Sequence, residues 1–140
     1  HFNMVIPAMD DHRNMDRAFE VSELIGLDEQ LNSKAGDLSH GERRQLEIGL
    51  AIAYEPRLIM LDEPAAGLSS EERIAVVDLM NSLSREMTLI LIEHDMDVAL
   101  TVGEQVTVLH KGGIIADGTP DKISSNDLVQ QVYLGESLHD

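Results

Sequence analysis

Leu58-Ile59-Met60-Leu61-Asp62-Glu63-Pro64 sets the fold. Four apolar residues in an unbroken row, too short for a helix, predict a strand covered on both faces. The row stops abruptly at two carboxylates and a proline. A second row of this kind, Thr88-Leu89-Ile90-Leu91-Ile92, stops at Glu93-His94-Asp95. Between them Ser69 and Glu72 have the S-x-x-E spacing of a helix-capping box, and Ile74, Val77 and Leu83 mark the expected apolar side of that helix. Strand, helix, strand makes a right-handed βαβ unit with parallel strands. The carboxyl ends of the two strands then share one sheet edge, where open α/β sheets bind ligands.

Upstream, Ser39 and Glu42 form a second capping box. They open a helix with Leu46, Leu50 and Ala53 on its expected buried face, which Pro56 stops near Tyr54. Before it, Asn14 is read as the cap of a helix from Met15 to about Ile25, ended by Gly26, and Asp28–Leu38 as irregular apart from a short helix. The stretch His1–Arg13 reads as a loop or short helix. Downstream, a helix over Met96–Val102 precedes a third strand, Gln105–His110. Lys111-Gly112-Gly113 then signals a hairpin into Gly113–Asp117, adding an antiparallel edge to the sheet. Thr119-Pro120 starts a short helix and Asn126 caps a last one ending at Gly135.

Composition bounds the function. The chain has 140 residues, no cysteine and a net charge of -16, so disulfides and thiolate metal sites are excluded and nucleic acid is a poor partner. Anionic lipid would repel so acidic a surface, and membrane association is expected to run through a protein. No apolar run is long enough to span a bilayer, and no signal peptide is visible. The first residue is His rather than Met, which suggests a fragment or a processed product.

The chemistry should gather at the strand ends. Asp62 can hold Mg²⁺ through water, and Glu63 can orient or deprotonate an attacking water. His94 can reach a phosphate oxygen or that water. Ser39 and Gly41 lie at a helix N-terminus, where backbone N–H groups and the helix dipole favour an anion. Each feature has a plainer reading: an acidic pair can simply end a strand, and a capped helix can be only that.

Together, in this order and spacing, they resemble the ABC ATPases. Leu38-Ser39-His40-Gly41-Glu42 is similar to the signature motif, Leu58–Pro64 to the Walker B strand with its glutamate, Ala66-Gly67-Leu68-Ser69 to the D-loop, and His94 to the switch histidine. Pro64–Leu68, Glu93-His94-Asp95-Met96 and Tyr133-Leu134-Gly135-Glu136 look like the branch that imports branched-chain amino acids; the lipopolysaccharide exporters have a similar tail. Three positions depart from the pattern: His40 for a glycine, Glu42 for a glutamine and Ser69 for the D-loop aspartate.

The resemblance implies a partial P-loop NTPase-like fold, mainly parallel, in which 1–57 belong to the helical subdomain and 58–140 to the ATPase core. It implies ATP and Mg²⁺ as cofactors, with Asp62 the metal residue and Glu63 and His94 catalytic. Ser39, His40, Gly41 and Glu42 would face ATP held by a second ATPase subunit, and Ser69 would occupy the D-loop position. Transmembrane permease subunits are the other implied partners, with the protein peripheral on the inner face of the cell membrane. No G-x-x-x-x-G-K-[ST] occurs in the sequence. The chain is therefore expected to begin inside the helical subdomain, without the central P-loop strand, and to be inactive alone. Two readings compete with it: a regulatory module lending its signature motif in trans, and a truncated piece with no function of its own. A missing central strand also leads us to expect that the chain rearranges to close the gap or pairs with another copy.

Overall fold

The computed structural model describes residues 12–83 and 87–136. The stretch expected as a loop or short helix over His1–Arg13 lies, up to residue 11, outside the described residues. The chain forms two compact units, divided between Ile90 and Leu91.

The first unit is built on three helices and a strand. Helix α1 spans His12–Leu24, α2 His40–Ile52, strand β1 Leu58–Asp62 and α3 Ser70–Ser82. Asn14 lies inside α1 rather than capping it. The end of α1 is as expected. Gly26 turns left-handed at φ 70°, and the N–H groups of Gly26 and Leu27 donate to Glu23 O (3.2 Å) and Ser22 O (2.8 Å). This is the doubled bond pattern of a glycine C-cap, which satisfies carbonyls the helix leaves open. Two short 3₁₀ turns, Asp28–Gln30 and Ala35–Asp37, occupy the irregular stretch. Arg17 on α1 reaches the far end of α2, donating to the carbonyls of Ile52 (3.2 Å) and Ala53 (3.3 Å), where a cation also complements the helix dipole.

The core of this unit corrects two expected faces. Helix α2 buries Gly41, Ile48, Gly49 and Ile52, not Leu46, Leu50 and Ala53; Leu50 is 62 % exposed. The cause is close approach: a Cβ on Gly49 would stand 2.6 Å from Ile25 Cδ1 and 3.3 Å from Val21 Cγ1, so only glycine lets α1 lie this near. Helix α3 likewise buries Val76, Leu79 and Met80 and leaves Ile74 exposed.

Strand β1 is hydrogen-bonded to β2, Thr88–Ile92, in a two-stranded parallel sheet. The expectation of cover on both faces fails. Ile59 is buried, but Leu58, Met60 and Ile90 are exposed, giving the alternation of a sheet covered on one side.

The second unit contains α4 (Met96–Val102), β3 (Val106–His110), β4 (Gly113–Gly118), α5 (Pro120–Ser124) and α6 (Asp127–Glu136). Lys111 and Gly112 are both left-handed, at φ 48° and 80°, and form the tight turn of an antiparallel hairpin with His110 opposite Gly113. Val108, Ile123 and Val129 form its core, with Met96, Leu100 and Tyr133 packed against them. Pro120 begins α5 as expected, although the Thr119 side chain makes no capping bond. Asn126 does cap α6, its Oδ1 accepting from the N–H groups of Leu128 and Val129. Strands β3 and β4 make their own two-stranded sheet rather than an edge of the first. Among the described residues β2 and β3 are not paired.

Candidate functional site

In the first unit the predicted signature segment and the turn after β1 meet. Ser39 caps α2 with a complete box: Glu42 N–H donates to Ser39 Oγ at 3.1 Å and Ser39 N–H to Glu42 Oε2 at 2.7 Å. Ser39 and His40 are exposed, whereas Gly41 is buried. Ser69 caps α3 in the same way, with Glu72 as its third residue.

Glu72 also does something its spacing does not reveal. Its Oε2 accepts from Ser69 N–H (3.0 Å) and Ser69 Oγ (2.9 Å), while its Oε1 accepts from Gly41 N–H at 2.8 Å, across thirty-one positions of sequence. A Cβ on Gly41 would lie 2.5 Å from Glu72 Cγ. A carboxylate of the chain itself thus lies at the N-terminus of α2, and the space that glycine leaves at position 41 is occupied by Glu72. Nothing in the sequence marks this second role, because a capping-box glutamate looks complete once its own helix is capped. His40 is drawn to the same place: its Nε2 lies 3.6 Å from where a Cβ on Gly67 would sit.

These bonds lower the pKa of Glu72 from 4.5 to about 2, through Ser69 N–H first and Gly41 N–H second, with the Ser69 and Ser39 side chains adding and desolvation opposing. A carboxyl whose folded value lies below its unfolded one contributes stability at pH above the unfolded value. That contribution is lost as pH falls through the folded value. From pH 4.5 down to about 2, the urea midpoint of the wild-type chain should therefore fall more steeply than that of Glu72→Gln. Parallel midpoint curves for the two proteins would refute the assignment.

Asp62 and Glu63 end β1 and are exposed. Glu63 holds a left-handed backbone at φ 46°, a conformation that costs a non-glycine residue about 1–2 kcal/mol. Strain of this kind concentrates where a side chain must be aimed. Its carbonyl accepts from Ala66 N–H at 3.1 Å, and Gly67, at φ 73°, carries the turn on to Leu68, with Pro64, Ala65 and Leu68 buried beneath it. In the second unit His94 lies exposed just past β2. Asp95 beside it caps α4, accepting from the N–H groups of Asp97 (3.0 Å) and Val98 (3.3 Å).

Among the described residues no group of three or more His, Asp or Glu side chains could hold a metal ion by itself. Asp62 offers a single hard carboxylate. That fits Mg²⁺, which keeps several waters and takes its remaining ligands from nucleotide phosphates, and does not fit a tight protein cage. Among the described residues no helix is long and apolar enough to cross a membrane.

Comparison with known proteins identifies relatives of the chain. Residues 3–66 match the ABC transporter family model, and residues 114–139 match that of the branched-chain amino acid ATP-binding cassette transporters. The chain is 40% identical over 125 residues to the high-affinity branched-chain amino acid transport ATP-binding protein BraF of Pseudomonas aeruginosa, covering 88% of this chain and 49% of BraF. It is 35% identical over 127 residues to the lipopolysaccharide export system ATP-binding protein LptB of Escherichia coli, covering 88% of this chain and 52% of LptB. Among solved structures, the ADP conformation of MJ1267, an ATP-binding cassette of an ABC transporter, superimposes with a TM-score of 0.78 at 28% identity. That match covers 96% of this chain and 54% of MJ1267. The chain spans about half the length of the curated relatives it matches. It belongs to the ABC transporter ATP-binding family.

Proposed function

We propose that the chain is part of the ATP-hydrolysing subunit of a transporter that imports branched-chain amino acids. The observation that carries the reading is Glu63, held left-handed directly after Asp62 at the end of β1. ATP is the substrate, and Mg²⁺ when bound supplies neutralisation of phosphate charge. Asp62 would hold the metal through water. Glu63 takes the proton of the attacking water, and His94 steadies that water or the phosphate it attacks. Ser39, His40, Gly41 and Glu42 form the edge that meets ATP carried by a second ATPase subunit, with the exposed Ser39 hydroxyl as the direct contact and Ser69 beside it. In this reading 1–57 belong to the helical part and 58–140 to the catalytic core. Permease subunits hold the assembly on the inner face of the cell membrane, and the chain without a P-loop is silent. The exposed apolar face of β1 and β2 favours self-association of the chain in the absence of those partners.

The amino-acid branch is favoured by the match over 114–139 and by the higher identity to BraF than to LptB. Lipopolysaccharide export is the second reading, on the LptB likeness. The test is Mg-ATP hydrolysis by the purified chain, alone and mixed with a P-loop-bearing half from a related ATPase. Silence alone with turnover on mixing is expected. Turnover by the chain alone would overturn its predicted dependence on a P-loop. Silence in both, with binding of the two halves demonstrated, would overturn the assignment of the site.

A further inference from the structure

One carboxylate spans two helix N-termini. Gly41 is the second residue of α2, and Glu72 is the third of α3. The positive ends of two helix dipoles therefore come together around Glu72, an arrangement that needs an anion between them. The carboxylate provides it with both oxygens engaged, Oε1 on Gly41 N–H and Oε2 on the N–H and hydroxyl of Ser69. A capping box for α3 requires only the second of these. The first depends on a residue without a side chain at position 41, since a Cβ there would fall 2.5–2.9 Å from three carbons of Glu72.

We propose that Glu72 is a positioning residue whose carboxylate fastens the Ser69 turn to the N-terminus of α2, so that the Ser39–Gly41 segment and the Ala65–Ser69 turn are presented as one surface to a second ATPase subunit. The identity of that subunit rests on the function proposed above; the fastening does not. Every bond Glu72 receives at its two oxygens comes from a donor. An amide in its place has one acceptor oxygen and one NH₂ group, so it can satisfy one side only. Glutamine therefore cuts the link while keeping the size of the side chain.

The experiment is residue-resolved amide hydrogen exchange on the ¹⁵N-labelled chain, with no nucleotide present, so its failure is distinct from failure of the ATPase reading. Four proteins are compared: wild type, Ser69→Ala, Glu72→Gln and the double variant. Glu72→Gln should speed exchange at Gly41 by about tenfold, the effect of losing a charge-assisted bond. Ser69→Ala should speed it severalfold when Glu72 is present and not at all in the Glu72→Gln background. The amide of Ile123, in the other unit, serves as the control for general loosening. Glu72→Asp supplies a second readout. One methylene shorter, it should keep Ser69 protected and release Gly41, whereas a purely capping role would leave Gly41 unaffected. Unchanged exchange at Gly41 in both Glu72 variants, or additive effects of the Ser69 and Glu72 changes, would overturn the proposal. If Glu72→Gln does not fold, the Glu72→Asp comparison decides alone.

Discussion

Replacing Glu63 with glutamine is expected to lower ATP turnover by about 10²–10⁴-fold in the assembly restored by a P-loop-bearing half, the usual contribution of a positioned general base. Glutamine has nearly the same shape and cannot accept the proton of the attacking water. Nucleotide affinity should be kept, because the role proposed for Glu63 lies in the chemical step and not in the cradle of the phosphates. Steady-state hydrolysis together with nucleotide binding checks both halves of the expectation. A variant that hydrolyses at the wild-type rate would remove Glu63 from the mechanism. A variant that has lost binding as well would show that the left-handed turn at φ 46° matters more for structure than for chemistry.

The largest effect on stability is expected from Ile48→Ala. Ile48 is 1 % exposed at the centre of the first unit's core, and truncating such a side chain typically costs about 2–5 kcal/mol in lost burial and residual cavity. Leu50→Ala, two residues on, should cost less than about 0.5 kcal/mol, as exposed substitutions do. Urea unfolding of the two variants side by side is decisive. Equal losses would mean that α2 buries the face carrying Leu50 after all.

That pair of variants also marks the limit of what was legible in the sequence. Periodicity located α2 and both of its ends, because the Ser39–Glu42 box and Pro56 are local signals. It did not choose the buried side, because Leu46 and Leu50 repeat at helical spacing as well as Ile48 and Ile52 do. The choice is made by tertiary approach at Gly41 and Gly49, where two neighbours come too near for any side chain. The strands failed for a related reason. An apolar run such as Leu58–Leu61 reports what the strand can bury, not what this chain supplies to cover it, and Met60 is left 62 % exposed. The hairpin at Lys111-Gly112 was readable because two left-handed residues in a row are a strictly local demand. Motif order alone was enough to put forward candidate site residues, but not the bond from Gly41 to Glu72, since no pattern within either segment points to the other.

The bare side of β1 and β2 has a thermodynamic consequence. Leu58, Met60 and Ile90 are the kind of surface whose removal from water drives association. Any body that binds the folded form there, and not the unfolded chain, adds its binding free energy to folding by mass action. Where that body is a second copy, as proposed above, the unfolding midpoint becomes a function of how much protein is in the tube, and two laboratories working at different concentrations would record different stabilities for the same molecule.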